Sequence, residues 1–357
     1  MKTLNIKAST HDYDVTIGTD VRFKINELLN KSYTSIMIIA DDVIADLYLN
    51  DLKETFNNRK IFTYVLPHGE AEKTIDNYYK IQTKAIEYGL DRDSLLIAFG
   101  GGVIGDLTGF VAATFMRGID FVQLPTTVLA HDSSVGGKVA INHELGKNLI
   151  GAFYPPQAVI YDVSTLSTLP ESEMRSGYAE IIKEAFISDE IFLNELMSVD
   201  LNSLNEEAMS NHLFQGIKIK ADIVEADEKE ASIRKYLNLG HTLSHAIESE
   251  LGYGNITHGE SVAIGIIFAL KISEEKYGIK LPIKLYIEWL KKNNYPLRLP
   301  ELKIEGLIRR MKSDKKSSNQ IIQMVLLKNI GEPTIANLTD DYINLQLESF
   351  IKELNNL

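Results

Sequence analysis

The sequence predicts an α/β N-terminal domain with a Rossmann-like parallel sheet, followed by a mainly α-helical C-terminal domain. Short apolar runs alternate with helical patterns through the first half of the chain, which is typical of a parallel sheet covered by helices. A glycine-rich turn at residues 100–105 follows one of these runs and leads into a helical pattern. After Pro170 the strand pattern nearly stops. We therefore predict domains at residues 1–165 and 166–357.

Five short apolar runs predict the strands of the sheet. They cover residues 36–40, 61–66, 95–99, 121–124 and 158–161. A helical pattern at residues 74–88 lies between the second and third runs, as expected where a helix connects two parallel strands. The pattern of residues 171–357 predicts helices instead, and residues 321–327 are the one strand-like exception.

The composition excludes several classes of protein. A formal net charge of −12 argues against nucleic-acid binding. With no cysteine, the chain has neither disulfides nor thiolate metal ligands, which fits a cytoplasmic location. The N-terminus lacks an apolar signal segment, and the longest strongly apolar run, residues 262–270, is far shorter than the ~20 residues that span a bilayer. We therefore expect a cytoplasmic protein that binds neither nucleic acid nor membrane.

The turn after the third predicted strand carries the pattern G-x-G-x-x-G at Gly100, Gly102 and Gly105. Glycines let the backbone approach a pyrophosphate, and the N-terminus of the following helix favours its negative charge. Residues 69–73 and 125–127 are further loops at expected strand ends, where open α/β sheets bind nucleotides. A dinucleotide site is therefore the functional hypothesis, and a strand-to-helix turn without a ligand is the alternative.

Three of the eight histidines lie close together, at His241, His245 and His258. His241 and His245 are four residues apart and share one face of a helix, so the spacing nominates them as paired metal ligands, completed by a carboxylate from elsewhere. Ordinary hydrogen-bonded histidines are the alternative. Thr242 stands where the H-E-x-x-H motif of metalloproteases has its glutamate. The pattern does not distinguish zinc from cobalt or iron.

Cationic and amide side chains recur in the segments around these features. Lys138 follows two glycines, and a lysine beside flexible backbone is a common way to hold phosphate. Glu180 and Lys183 lie three apart on a predicted helix and share a face. Taken singly, each of these residues is most simply a solvated surface side chain, and the absence of a Walker A pattern argues against an ATPase. Further candidates are Lys147, Asn148, Lys220, Arg234 and Asn238.

Together these segments resemble the 3-dehydroquinate synthase family, over nearly the whole chain. The most specific strings, in the family's order, are residues 100–110, 132–138, 146–153, 237–242 and 258–260. The resemblance implies an NAD- and metal-dependent lyase of the shikimate pathway to the aromatic amino acids. Its reaction would convert 3-deoxy-D-arabino-heptulosonate 7-phosphate to 3-dehydroquinate and phosphate, by transient oxidation, phosphate elimination, re-reduction and intramolecular aldol closure.

The resemblance also implies roles for individual residues. A zinc or cobalt ion would be held by Glu180, His241 and His258, and the catalytic residues would be Lys138, Asn148, Glu180, His241 and His245. NAD would be bound by Asp41, Glu70, Lys73, Gly101, Gly102, Val103, Asp106, Thr126, Thr127, Lys138, Lys147 and Thr168. Substrate would be bound by Arg117, Asp132, Lys138, Asn148, Lys183, Lys220, Arg234, Asn238, His245 and one of Lys315 and Lys316. Arg117 matches a residue that reaches the phosphate site from the partner subunit, so the resemblance implies a homodimer.

Three other functions fit parts of the pattern. Another sugar phosphate cyclase, such as a 2-deoxy-scyllo-inosose or valiolone-type synthase, would share the metal and NAD. A metal-dependent polyol or glycerol-phosphate dehydrogenase would release NADH. A catalytically silent NAD-binding protein would need only the scaffold, and the complete set of metal-ligand candidates argues against it.

Overall fold

A computed structural model describes residues 1–29, 31–56, 59–252, 254–299, 302–313 and 321–356. Its contacts divide the chain into two compact units. The first unit comprises Met1–Leu169 and Asn205–Glu228, and the second comprises Pro170–Leu204 and Lys229–Leu357. The sequence had assigned residues 205–228 to the second domain, so the structure differs from the predicted boundaries in this segment.

The strands, in chain order, are β1 (Lys2–Ile6), β2 (Tyr13–Gly18), β3 (Ile36–Asp41), β4 (Ile61–Leu66), β5 (Leu95–Gly100), β6 (Asp120–Pro125), β7 (Lys138–His143), β8 (Gly146–Phe153), β9 (Ala158–Asp162), β10 (Ile322–Leu327) and β11 (Pro333–Leu338). The α-helices are α1 (Ile25–Leu28), α2 (Asp42–Ile44), α3 (Asn50–Glu54), α4 (Ile75–Glu87), α5 (Gly102–Thr114), α6 (Ala130–Ser133), α7 (Glu171–Ser188), α8 (Glu190–Ser198), α9 (Glu206–Ala226), α10 (His241–Leu251), α11 (His258–Tyr277), α12 (Ile283–Lys292), α13 (Ile304–Ser313) and α14 (Asp340–Asn355).

The first unit is built on a seven-stranded sheet with the order β1-β2-β9-β6-β5-β3-β4. β1 pairs antiparallel with β2, and the other pairings are parallel, which confirms the predicted sheet. Apolar side chains cover both faces: Met37 and Ile39 lie in one core cluster, and Ile36 and Ile38 in the other. This alternation explains why β3 is a continuous apolar run in the sequence.

All five predicted strands are present, but the sequence analysis missed four strands of this unit, which are β1, β2, β7 and β8. β1 lies at the sheet edge, and most of its residues are exposed, so it lacks an apolar signal. β7 and β8 form a separate antiparallel hairpin. β8 keeps mostly partly buried or exposed residues, which hides it from a search for apolar runs.

Helix α9 joins the first unit because it packs against β1, β2 and α6. Its buried residues include Leu213, Ile217 and Ala221, at the spacing of one helix face. Helical periodicity reveals such a face but not the partner that covers it, which is why the sequence analysis placed α9 in the second domain.

The second unit is mainly helical, as predicted, with α11 packed against α7, α10 and α12. The predicted strand at residues 321–327 is β10, which pairs antiparallel with β11, a strand that the sequence analysis did not find. Within the described residues, no helix combines the length and apolarity needed to cross a membrane.

Candidate functional site

Helix α7 carries a buried carboxylate and a buried lysine on one face. Glu180 and Lys183 are each about 1% exposed, and the Lys183 Nζ donates a hydrogen bond to Oε2 of Glu180. Two charges are tolerated in the interior only when they are paired, so the lysine offsets the desolvation of the carboxylate. Oε1 of Glu180 points away from this pair, toward two histidines.

Close helix contacts bring those histidines to Glu180. Gly259 lies directly against α7: a Cβ there would be 1.9 Å from the carbonyl oxygen of Ser176. The backbone N–H of Gly259 also donates to Oγ of Ser176 at 3.0 Å. A second contact joins α10 to α11, because a Cβ at Gly265 would be 2.0 Å from the carbonyl oxygen of Gly240. His241 and His258, the first residues of α10 and α11, are thereby held beside α7.

The N-terminus of α11 is fixed further by a capping box. Thr257 Oγ1 accepts from the backbone N–H of Glu260, whose carboxylate accepts from the N–H of Thr257. Glu260 also accepts from Nε of Arg175 on α7, at 2.9 Å. The string His258-Gly-Glu260 is therefore explained locally: glycine allows the approach to α7, and glutamate caps the helix that carries the histidine.

The three side chains fit a divalent metal. Nε2 of His241 and Nε2 of His258 each lie 3.4 Å from Oε1 of Glu180. The ligand atoms of the three residues all lie within 4.8 Å of one another. Donor atoms around a tetrahedral zinc with bonds of ~2.1 Å are roughly 3.4 Å apart, which matches the two nitrogen–oxygen distances. Two nitrogens and one carboxylate oxygen leave a position for a substrate oxygen.

The other ring nitrogens are engaged in ways that direct Nε2 toward Glu180. Nδ1 of His241 lies 3.2 Å from the carbonyl oxygen of Leu239, and Nδ1 of His258 lies 3.0 Å from Oε2 of Glu248. Each acceptor favours the tautomer with the proton on Nδ1 and the lone pair on Nε2. Both rings are therefore oriented for coordination.

Their surroundings set the two histidines apart electrostatically. Burial lowers the pKa of His241 to about 3, so this ring is neutral at pH 7. Burial also opposes the charged form of His258, but hydrogen bonds and charge from Glu180 and Glu248 outweigh it and raise the pKa of His258 to about 10. A metal ion that takes Nε2 of His258 must therefore displace a proton.

A second donor group overlaps the first. His245, Glu248 and His258 also place their ligand atoms within 4.8 Å of one another. The two groups meet opposite nitrogens of His258, Nε2 facing Glu180 and Nδ1 facing Glu248. Because a neutral imidazole has one acceptor nitrogen, its ring can serve only one of the groups at a time. The group with Glu180 has the more deeply buried carboxylate, and it is the set that the resemblance implies.

The remaining candidates of the second unit lie near these helices. Arg234 is 2% exposed, in a 3-10 helix at Ile233–Asn238 that precedes α10. Nδ2 of Asn238 donates to Oε1 of Glu230 at 3.2 Å and to the carbonyl of Lys235 at 2.9 Å. The ring centroid of His245 lies 5.4 Å from that of His241. Lys315 and Lys316 fall outside the described residues.

In the first unit, the candidate dinucleotide residues gather where β3, β5 and β6 end. Glycine is required in the turn itself, since a Cβ at Gly100 would lie 2.6 Å from Cγ1 of Ile104 and 3.1 Å from Oδ2 of Asp41. Gly101 and Gly102, with Val103, open α5, and the N–H of Thr126 donates to the carbonyl of Gly100 at 3.1 Å. Adjacent parallel strands thus bring these loops together at the carboxyl ends of the strands, where open α/β sheets usually bind nucleotides.

Hydrogen bonds within the first unit hold the side chains that lie near these strand ends. The Asp41 carboxylate caps α2 by accepting from the N–H of Ile44 at 2.9 Å, and burial raises the pKa of Asp41. Thr127 Oγ1 accepts from the N–H of Ala130 at 3.2 Å. Thr168, in a 3-10 helix after β9, lies 2.8 Å from the hydroxyl of Tyr48.

Lys73 is the centre of a polar network in the first unit. Its Nζ donates to Oδ2 of Asp106 at 2.5 Å and to Oδ1 of Asn148 at 2.6 Å. Asn148 has a positive φ of 56°, and its N–H donates to Oδ1 of Asn142. Asn142 in turn donates to Oε1 of Glu70 at 2.7 Å. Four sequence candidates therefore meet, although they are separated by up to 78 positions along the chain.

Replacing Lys73 with methionine should lower the free energy of unfolding by about 2 kcal/mol, because the partly buried Asp106 and the exposed Asn148 lose the donor that they share. Burial raises the pKa of Asp106 above 3.8 against the opposing charge of Lys73, and removing Lys73 raises it further. A carboxyl whose pKa is raised in the folded state stabilises the fold only while it is protonated. In the variant that lacks Lys73, ionisation of Asp106 at higher pH therefore destabilises the folded protein. Denaturation should show a larger loss at pH 8 than at pH 5, and a loss independent of pH would contradict the assignment.

The other predicted substrate residues of the first unit occupy separate elements. Lys220 on α9 is 5% exposed and forms an ion pair with Oδ2 of Asp132 at 3.1 Å. Lys138 begins β7 with an exposed side chain, and Lys147 lies on β8. Arg117 has a left-handed backbone, with φ of 71°, and an exposed side chain.

Sequence reasoning missed Glu248, Arg175 and Gly259. A usable signal existed for Glu248, because His241, His245 and Glu248 follow the i, i+4, i+7 spacing of one helix face. Arg175 and Gly259 act through contacts between helices, which no local spacing reveals.

Known proteins match the chain along its whole length. Residues 63–176 match the family model described as 3-dehydroquinate synthase N-terminal, and residues 177–317 match the one described as 3-dehydroquinate synthase C-terminal. A 3-dehydroquinate synthase of Oceanobacillus iheyensis is 50% identical over 359 residues, covering 100% of both chains. One of Halalkalibacterium halodurans is 51% identical over 358 residues, covering 99% of each.

Solved structures share the fold at lower identity. A 2-deoxy-scyllo-inosose synthase complexed with carbaglucose-6-phosphate, NAD+ and Co2+ is 24% identical with a TM-score of 0.87, covering 98% of this chain and 100% of that one. A 2-epi-5-epi-valiolone synthase from Streptomyces hygroscopicus with NAD+ and Zn2+ bound is 20% identical with a TM-score of 0.83, covering 97% and 99%. A glycerol dehydrogenase from Schizosaccharomyces pombe has a TM-score of 0.66 at 14% identity, covering 96% and 89%.

Proposed function

The chain belongs to the 3-dehydroquinate synthase family, and from that premise we propose that it converts 3-deoxy-D-arabino-heptulosonate 7-phosphate to 3-dehydroquinate and phosphate in the cytoplasm. The observation that carries the proposal is identity of about half over the full length of curated synthases. The other cyclases and the glycerol dehydrogenase share the fold at 24% identity or less, which favours them much less.

We propose NAD and a divalent ion, zinc or cobalt, as cofactors. Two fold neighbours contain NAD+ together with Co2+ or Zn2+. When bound, NAD would accept and return a hydride while the ion acts as a Lewis acid on substrate hydroxyls. Glu180, His241 and His258 would hold the ion, and the loops that follow β3, β5 and β6 would bind NAD.

The substrate carries a carboxylate and a phosphate, so the chain must supply cations despite its net charge of −12. We assign this role to Lys138, Lys147, Lys183, Lys220 and Arg234, with Arg117 contributed by a partner subunit. Lys183, Lys220 and Arg234 are each at most 5% exposed, and burial strengthens the attraction between such a cation and an anion. Asp132, Asn148 and Asn238 would orient hydroxyl groups, and His245 would accept a proton from the substrate.

The function is tested by supplying the metal-loaded protein with the heptulosonate phosphate and NAD far below the substrate concentration. The expected result is release of phosphate in large excess over NAD, with no accumulation of NADH. Absence of phosphate release would refute the synthase, and stoichiometric NADH formed from a polyol would support a dehydrogenase instead.

We further propose that the protein is a homodimer and that β8 lies in its interface. Leu149 and Phe153 on β8 are 47% and 50% exposed, whereas Val139 and Ile141 on β7 are buried. Within the described residues β8 pairs only with β7, so one edge of a long, partly apolar strand stays open for a second chain.

Replacing Phe153 with lysine should weaken the dimer at least about tenfold, since a charge would enter a largely apolar contact. Sedimentation equilibrium measures this change. Ile191→Lys on α8 is the matched control, because Ile191 is 83% exposed elsewhere on the surface. Equal association constants for the two variants would remove β8 from the interface.

A further inference from the structure

We propose that Glu248 is a positioning residue that orients the ring of His258 for metal binding. The proposal rests on the metal assignment made above. Glu248 is on α10, seven residues and therefore about two helical turns after His241, and its side chain is buried. Its Oε2 lies 3.0 Å from Nδ1 of His258, which is a hydrogen bond of normal length.

The contact decides which nitrogen of His258 is available. Glu248, as a carboxylate, only accepts, so Nδ1 must donate to it, and in the neutral ring that binds a metal Nε2 carries the lone pair. Nε2 is the atom that lies 3.4 Å from Oε1 of Glu180. Without Glu248 the ring could turn about its χ2 angle or adopt the other tautomer, and both changes would remove the donor from Glu180.

The two histidines are supported differently. Nδ1 of His241 lies 3.2 Å from the backbone carbonyl oxygen of Leu239, so the orientation of this ring does not depend on another side chain. His258 instead depends on a carboxylate, whose charge makes its ring a stronger donor to a cation. His258 is also the more exposed of the two, with 30% of its side chain accessible against 12% for His241. It therefore has the greater need of a partner that fixes its orientation.

Helix α10 thus has two functions in the proposed site. His241, at its first turn, supplies a ligand, and Glu248, at i+7, fixes the ligand supplied by α11. An outer carboxylate bonded to a ligating histidine is a recurrent feature of metal sites, and its loss typically lowers metal affinity 10- to 100-fold.

The test measures Co2+ binding to the metal-free full-length protein by competition with a chromophoric chelator, together with the visible absorption of bound Co2+. Glu248→Ala should raise the dissociation constant ~10- to 100-fold and shift the visible bands, because the environment of one ligand changes. Glu248→Gln, whose amide oxygen still accepts from Nδ1, should recover part of the affinity. Glu250→Gln is the matched control on the same helix, where the carboxylate faces Arg310 at 3.7 Å, and it should bind Co2+ like the unmodified protein.

Wild-type affinity and spectrum in Glu248→Ala would overturn the proposal. A Gln variant as weak as the Ala variant would also overturn it, since an accepting oxygen would then bring no recovery. Circular dichroism and thermal unfolding of the Gln variant separate a folding defect from a local one. The metal assignment itself fails separately: it is wrong if His241→Ala keeps wild-type affinity for Co2+, whatever the Glu248 variants do.

Discussion

Replacing His241 with alanine should abolish metal binding and turnover, whereas the same change at His245 should leave the metal bound. Nε2 of His241 lies 3.4 Å from Oε1 of Glu180, and burial keeps its ring neutral and ready to coordinate. Among the described residues, His245 shares a donor group with Glu248 and His258 but not with Glu180. The two substitutions are chemically identical and four residues apart on one helix, so they distinguish the two candidate metal groups.

Plasma emission spectrometry gives the metal content of each purified variant, and phosphate release gives its rate. His241→Ala should retain less than about a tenth of the metal and lose at least ~10³-fold in rate, equivalent to roughly 4 kcal/mol of transition-state stabilisation. His245→Ala should keep its metal and lose rate through substrate contacts. If only His245→Ala lost the metal, the ion would have to be assigned to the group of His245, Glu248 and His258 instead.

The metal group shows how far a sequence can define a site. Spacing alone nominates His241 with His245, because both lie on one face of α10. The structure instead brings His241 to Glu180, 61 positions earlier, and to His258, beyond the end of its own helix. Contacts of this kind depend on how helices cross, and only the resemblance to a family indicated the set in advance.

The same distinction applies to the fold. Buried strands such as β3 and β5 are visible as apolar runs because helices cover both faces of the sheet. β1 and β8 are exposed along much of their length, so their pairing depends on neighbours that a local pattern does not include. The glycine-rich turn was found for a possible ligand, yet Gly100 is already required by packing against Ile104 and Asp41. A motif can therefore be structurally necessary whether or not it binds a cofactor.

Gly259 offers the sharpest test of the link between packing and the metal group. A methyl group at this position would lie 1.9 Å from the carbonyl oxygen and 2.4 Å from the carbonyl carbon of Ser176, both backbone atoms that cannot rotate away. The start of α11 must then move away from α7, losing the hydrogen bond from Gly259 to Ser176. Such overpacking in a core destabilises proteins by about 3 kcal/mol or more in severe cases.

We expect Gly259→Ala to lower the free energy of unfolding by at least about 3 kcal/mol, measured by urea denaturation. Because His258 is the neighbouring residue, its ring should also be displaced from Glu180, and the folded fraction should bind Co2+ more weakly than the unmodified protein. Gly146→Ala is the control, since a Cβ there would meet the flexible side chain of Leu149, with Cδ1 3.2 Å and Cγ 3.7 Å away. Stability within about 0.5 kcal/mol of the unmodified protein, together with unchanged Co2+ affinity, would show that α7 and α11 are not held as closely as the structure places them. A loss of Co2+ affinity larger than the loss of stability explains would instead identify this helix contact as the feature that holds His258 at the metal.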